Sequence, residues 1–326
     1  MQDSVQRANG LGGAIGSKSY DFATRVFGAV HCFALGKRSA FRVADLENTK
    51  LVFMHHPKTG GTTLHDIFLG AFAKDEVCPE RFNGLRHCTA AELTRYRYFS
   101  GHFDLPSLKL IPGKKIVITM LREPIDRLIS LYNFERAHRP EVIRENNLEL
   151  ARLANAYTLE EFLLAAEVRA HPAINNSMTR ALVDKLDAYR WEHRASVTLS
   201  DAEQYASLAL HQLKSLHSFG IMERYSDSVA LIFASLGLEP PQQIERKQVL
   251  DVVMETNPGL RRIDREPVTG RIRQLAAELV KADAYLYTRA CRLFAKRLSA
   301  MQRCNTARRL LGHQSSSRSG PSPVIK

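Results

Sequence analysis

The sequence predicts an α/β fold of three layers, with a mainly parallel central sheet flanked by helices. Three observations carry this. Short β-rich apolar runs recur at Lys50–His55, Lys115–Leu121 and Ser218–Met222. Two of them are followed, across a glycine- or proline-bearing loop, by apolar residues at helical spacing. Strands that alternate with helices pack as a sheet covered on both faces.

The elements follow in order. Lys50–His55 is of strand length and stops at Pro57, and Leu64, Ile67, Phe68 and Phe72 then predict an amphipathic helix over 62–73. Arg97–Ser100 predicts a strand leading into the loop Gly101–Asp104. Lys115–Leu121 is rich in β-branched residues, and Pro124 sits where a first-turn proline belongs. Ile125, Leu128, Ile129 and Tyr132 form the apolar face of the helix that follows. Residues 144–216 read as mostly helical, 225–236 as a helix, 240–269 as irregular, and 270–299 as one long helix.

In domain terms, a loosely ordered extension covers 1–48, one ordered domain covers 49–299, and a disordered basic tail covers 300–326. The 326 residues suffice for one large core, and 44% hydrophobic with 25% charged residues is ordinary globular composition.

The formal net charge of +12 implies an acidic partner: nucleic acid, anionic lipid, polyanionic sugar or phosphorylated nucleotide. Part of it lies in the carboxylate-free stretch 292–326, read as solvated surface. Five cysteines without a C-x-x-C or a zinc-ligand spacing imply free thiols in a reducing compartment, and nothing in the sequence supports a Cys78–Cys88 bridge as the alternative. The ten-residue apolar run Val26–Leu35 is too short for a bilayer, which needs about 20 residues. It suits a helix on the core or on a membrane surface. The expected location is therefore cytoplasmic, with peripheral membrane contact open and no metal required.

The chemistry concentrates at His56-Pro57-Lys58-Thr59-Gly60-Gly61-Thr62-Thr63. A strand that feeds a helix through such a loop aims backbone N–H groups and the helix dipole at one point. Gly60 and Gly61 permit close approach of an anion, Thr62 and Thr63 add hydroxyls, and Lys58 adds a cation. The fold is in that sense P-loop-like. The order differs from the nucleoside-triphosphatase loop, because Lys58 precedes the glycines and the second strand ends in Leu121-Arg122 rather than a metal-binding Asp.

The second constellation is Arg122-Glu123-Pro124-x-x-Arg127-x-x-Ser130. Arg122 stands at a strand's carboxyl end, where ligands bind in open α/β sheets, and can fork onto a phosphate while Ser130 donates a hydroxyl. Arg127 reads as a structural ion-pair partner.

Together the two constellations resemble the paired nucleotide motifs of sulfotransferases that use 3′-phosphoadenosine 5′-phosphosulfate (PAPS), nearest to the membrane-free relatives of the heparan-sulfate O-sulfotransferases. Gly101-His102-x-Asp104, Asn175-Asn176-x-x-Thr179-Arg180, Phe219-Gly220-Ile221-Met222-Glu223 and Asp283-x-x-Leu286-Tyr287 extend the resemblance over about residues 50–290. The resemblance implies that Pro57 and Lys58 through Thr63 hold the 5′-phosphosulfate and that Arg122 and Ser130 hold the 3′-phosphate. It also places Arg180 near the nucleotide or the acceptor.

His102 is the candidate base, by the ordinary pKa of imidazole and by its loop position, and Lys58 is assigned to the developing leaving-group charge. Asp104 is expected to orient His102 or to touch substrate. His55 and His56, which flank the phosphate loop, are the rival bases, with His56 otherwise expected to line the pocket and His55 to be a core residue. The expected acceptor is a carbohydrate or glycoconjugate hydroxyl, with segments 74–97 and 240–270 and Arg180, Tyr189, Arg190, Trp191 and Arg194 as candidate lining. Competing readings are a nucleotide kinase or NTPase, against which the loop order argues, and a basic nucleic-acid-binding protein, for which no recognised motif is present. An inactive sulfotransferase-like protein is a third.

Overall fold

The computed structural model describes residues 49–183, 199–241 and 254–316, with side chains omitted at 199–200 and 305–316. The extension 1–48 with its Val26–Leu35 run, and the candidate acceptor residues Tyr189, Arg190, Trp191 and Arg194, lie outside the described residues.

Four parallel strands make the sheet: β1 (Lys50–Met54), β2 (Tyr98–Gly101), β3 (Lys115–Leu121) and β4 (Ser218–Ile221), in the spatial order β2-β1-β3-β4. Alternation along β1 shows why it is central. Leu51 and Phe53 pack on one face with Leu64, Phe68, Val229, Ile232 and Phe233. Val52 and Met54 pack on the other with Leu121, Phe219, Leu286 and Phe294. Both faces are dry, as parallel strands require. Each large side chain so buried contributes about 1.5–3 kcal/mol.

The covering helices are α1 (Gly61–Leu69), α2 (Pro124–Arg136), α3 (Ser177–Leu182), α4 (Leu199–Ser215), α5 (Tyr225–Ser235), α6 (Gly270–Leu279) and α7 (Lys281–Ser316). Short helices between Pro140 and Ala170 join α2 and α6 in a separate apolar cluster around Tyr132 and Phe162.

Three expectations change. The first helix stops at Leu69, and Phe72, beyond it, stacks on Tyr98 at 5.0 Å. The single helix over 270–299 is two helices, broken at Val280. The stretch 300–326, expected to be a disordered tail, is helical as far as Ser316. Cys78 and Cys88 are both free thiols.

The order β2-β1-β3-β4 places the reversal of winding between β1 and β3. Loops leaving the carboxyl ends of these two strands part company there and open a crevice. Those loops are 55–60 and 122–123.

Candidate active site

The first loop is held in an unusual backbone shape. Lys58 and Gly60 both adopt left-handed conformations, φ 66° and 73°. Thr59, wholly buried, donates its hydroxyl to the His56 carbonyl at 2.8 Å, which closes the turn. Gly60 occupies the N-cap of α1 and supplies no side-chain cap, so the positive end of the helix dipole is presented at the loop. Gly61 has a different reason to be glycine. A Cβ there would lie 2.3 Å from the His55 ring and 2.8 Å from that of Phe53. The helix start is pressed onto two aromatic rings.

Arg122 joins the two loops by donating from Nη1 to the Lys58 carbonyl at 3.0 Å. Burial lowers the pKa of both cations, and the Lys58 ammonium falls to about 8 despite the opposing charge of Glu135. Two cations held away from water beside uncapped amides form a site that suits a multiply charged anion. Glu223 steadies this corner: one carboxylate oxygen accepts from the Glu123 amide at 2.9 Å and the other from the Tyr287 hydroxyl at 2.6 Å. Ser130 sits half-buried on α2, two turns beyond Arg122.

His102 follows β2. Its Nδ1 lies 2.7 Å from the His55 carbonyl, which can only accept, so Nδ1 carries the proton and Nε2 keeps its lone pair. Its backbone amide donates to the Arg81 carbonyl at 2.8 Å. Burial first, then the charges of Arg81 and Lys58, lowers its pKa to about 4 against the support of the His55 carbonyl. The imidazole is neutral at neutral pH.

Several expected residues take other parts. Asp104 does not orient His102, because one carboxylate oxygen caps the turn Leu105–Leu108 at Ser107 and the other accepts from Asn83 at 2.9 Å. The His55 carbonyl does the orienting. His56 is 2% exposed, and burial and Arg127 drive its pKa to about 3. Its carbonyl takes part in the loop by accepting from the Thr59 hydroxyl. His55 is likewise a buried neutral ring, stacked on Phe53 at 5.1 Å. Arg180 is fixed on Asn175, Nε to the carbonyl at 2.6 Å. Arg127 is fully buried and donates from Nη2 to the Ala173 carbonyl at 3.0 Å, with the charge of Asp283 acting on it.

Sequence reasoning missed Arg81, Phe134 and Glu135. Arg81 donates to Nε2 of the buried His65 at 2.6 Å and feels His102 electrostatically. Only spatial proximity across β2 reveals it. A cavity of about 180 Å³ lined by Leu105, Leu108, Lys115, Val117 and Gln212 opens toward the amino end of β3, away from this site.

A cationic, uncapped helix start at the winding reversal of a parallel sheet defines α/β proteins that hold an anionic nucleotide at the sheet's carboxyl edge. Comparison with known proteins makes the assignment specific. The sequence profile of the Sulfotransferase family matches residues 40–294, well over half of the chain, and the chain belongs to that family. It is also similar to a protein-tyrosine sulfotransferase of Arabidopsis thaliana, 31% identical over 136 residues. That match covers 38% of this chain and 26% of the relative.

Proposed function

We propose that this protein transfers the sulfuryl group of PAPS to a hydroxyl of a carbohydrate or glycoconjugate. The observation that carries the reading is His102. Its Nδ1 proton is committed to the His55 carbonyl, so the bare Nε2 is available as a base beside the cationic loop.

The residues present fit the donor. The uncapped amides of α1, with Lys58, Thr62 and Thr63, suit the phosphosulfate, and Arg122 with Ser130 suits the 3′-phosphate. When bound, the donor supplies a sulfuryl group on a phosphate leaving group. His102 Nε2 takes the proton of the acceptor hydroxyl as its oxygen bonds to sulfur. The imidazolium so formed keeps its Nδ1–H bond to the His55 carbonyl. Lys58 offsets the charge that grows on the departing phosphate oxygen.

The net charge of +12 and the motif resemblance support an anionic sugar acceptor. The name of the Arabidopsis relative supports a second reading, a tyrosine hydroxyl in a protein. The four described cysteines are free thiols, which supports a cytoplasmic location. Among the described residues no helix is long and apolar enough to cross a membrane.

Transfer from labelled PAPS to a panel of sugars, glycoconjugates, lipids, small alcohols and tyrosine peptides tests donor and acceptor together. His102→Ala is expected to lower turnover on the order of 10²–10⁴-fold while retaining adenosine 3′,5′-bisphosphate. Undiminished turnover in that variant removes His102 as the base.

A further inference from the structure

The loop that carries His102 is flanked by a second turn, residues 80–84, and the two are tied together at His102 and at Asp104. The Arg81 carbonyl accepts from the His102 amide at 2.8 Å, and a Cβ on Gly101 would lie 2.9 Å from the Arg81 Cα. Asn83, in a left-handed conformation at φ 65°, donates from Nδ2 to the Asp104 carboxylate at 2.9 Å and accepts from the Asp104 amide at 3.2 Å. From inside, the wholly buried Glu80 carboxylate accepts from the Phe82 amide. Gly84 leaves room for that carboxylate, since a Cβ there would stand 2.4 Å from Oε2.

This mount holds Phe82 in an unusual place. Its ring is 42% exposed and lies 5.7 Å from the His102 ring, centroid to centroid, with the two planes 69° apart. A phenyl ring left so exposed forgoes burial that the core would supply, and the fixed turn keeps it there. Small ligands are held mainly by apolar area of this kind, with few polar groups to fix their orientation. A ring side chain offers that area while ordering only two torsions. A ligand ring laid on Phe82 brings the groups on its own rim beside the imidazole. A pyranose has the matching chemistry, because its faces carry C–H bonds and its rim carries hydroxyls.

We propose that Phe82 is the platform on which the acceptor sugar stacks, so that a C–H face of the pyranose covers the phenyl and a rim hydroxyl meets His102 Nε2. That the bound sugar is an acceptor rests on the sulfuryl-transfer reading; the stacking itself does not. Phe82 has no part in proton transfer or in the donor site. It determines which acceptors are held and in what orientation, so its loss weakens acceptor recognition and leaves nucleotide binding as it was. A hydroxyl on an open chain has no ring to lay on Phe82 and gains nothing from it.

Two measurements on the full chain, Phe82→Ala and Phe82→Trp test this. The first is initial-rate transfer from labelled PAPS to methyl pyranosides, neutral and uronic. Phe82→Ala is expected to raise the acceptor KM on the order of tenfold at unchanged affinity for adenosine 3′,5′-bisphosphate, and Phe82→Trp to restore it. An unchanged acceptor KM in Phe82→Ala overturns the proposal, as does an equal loss of bisphosphate affinity, which would make Phe82 a support of the loop. Transfer by the wild type to tyrosine peptides rather than pyranosides also overturns it, because the ring on Phe82 would then be a phenol. The second measurement needs no turnover: saturation-transfer NMR of the same pyranosides with the bisphosphate present. Irradiating the protein's aromatic protons should reach the C–H protons of one pyranose face, a signal lost in Phe82→Ala and kept in Phe82→Trp. Its absence in the wild type overturns the platform. A wild type that gives this signal but transfers nothing counts against the transfer reading, whereas transfer that Phe82→Ala leaves intact counts against the platform.

Discussion

Gly61 shows how much of the site one residue carries. Its two neighbours, His55 and Phe53, fill the space where a Cβ would go, at 2.3 and 2.8 Å. Gly61→Ala must displace α1 from β1, and is expected to cost about 1–3 kcal/mol in urea unfolding. It should also weaken bisphosphate binding, because the same shift misplaces the first-turn amides. The glycine pair was legible in the sequence as a phosphate turn, but the reason for its second member was not, since it depends on a ring packed across the loop. His102 was legible by its loop position, while its orienting group was not. Asp104 was the natural candidate by spacing, yet a carboxylate immediately before a helical turn caps that turn first. The partner is a main-chain carbonyl just past the end of the adjacent strand, and no side-chain pattern encodes it.

At the scale of elements, the break between α6 and α7 has a cause some 100 residues away in the chain. The Asn176 amide donates to the Leu279 carbonyl at 3.1 Å, and its side-chain oxygen accepts from the amides of Ala282 and Asp283 at 2.8 and 3.1 Å. Asp283 returns the favour, accepting from the amides of Met178 and Thr179 at the start of α3. The two helix starts cap each other. The stretch 271–299 holds no Pro or Gly, so its periodicity runs unbroken through Val280 and predicts one helix. Tertiary capping overrides it. The same contact joins two short motifs some 100 residues apart in the chain. Asn176→Ala is expected to cost about 2–3 kcal/mol by denaturant titration. Asp283→Ala should cost more, about 3–5 kcal/mol, because it removes the acceptor of two buried amides and the carboxylate charge that acts on the wholly buried Arg127. Equal, small losses for both would show that the mutual caps matter little. The strands themselves were legible almost to the residue, since each is an apolar run with turn residues at its carboxyl end.

Across the whole molecule, the buried histidines set the response to acid. His55, His56 and His102 have folded pKa values lowered below the unfolded 6.5, to about 3 for His56 and about 4 for His102. Below pH 6.5 the unfolded chain binds protons that the folded chain refuses, so stability is full above that pH and falls as acid is added. Glu135, raised to about 7, and the buried Asp283 act in the opposite sense, while His138, also lowered by burial, acts with the other histidines. Stability should therefore fall by roughly 2 kcal/mol per pH unit near pH 5 in calorimetry, and a flat profile would contradict the burial of these rings. What the sequence does not reveal at this scale is which groups meet at the winding reversal, because that follows from strand order. The order β2-β1-β3-β4 brings Arg122 onto the Lys58 loop and makes one anion site of two distant motifs. The central claim is that this site holds a nucleotide phosphosulfate without metal. Titration calorimetry with adenosine 3′,5′-bisphosphate in EDTA, against ATP with Mg²⁺, tests it most directly. The account predicts binding of the bisphosphate in EDTA and its weakening by about 2–3 kcal/mol in Arg122→Ala. Binding confined to Mg²⁺·ATP, or unaffected by loss of Arg122, would contradict it.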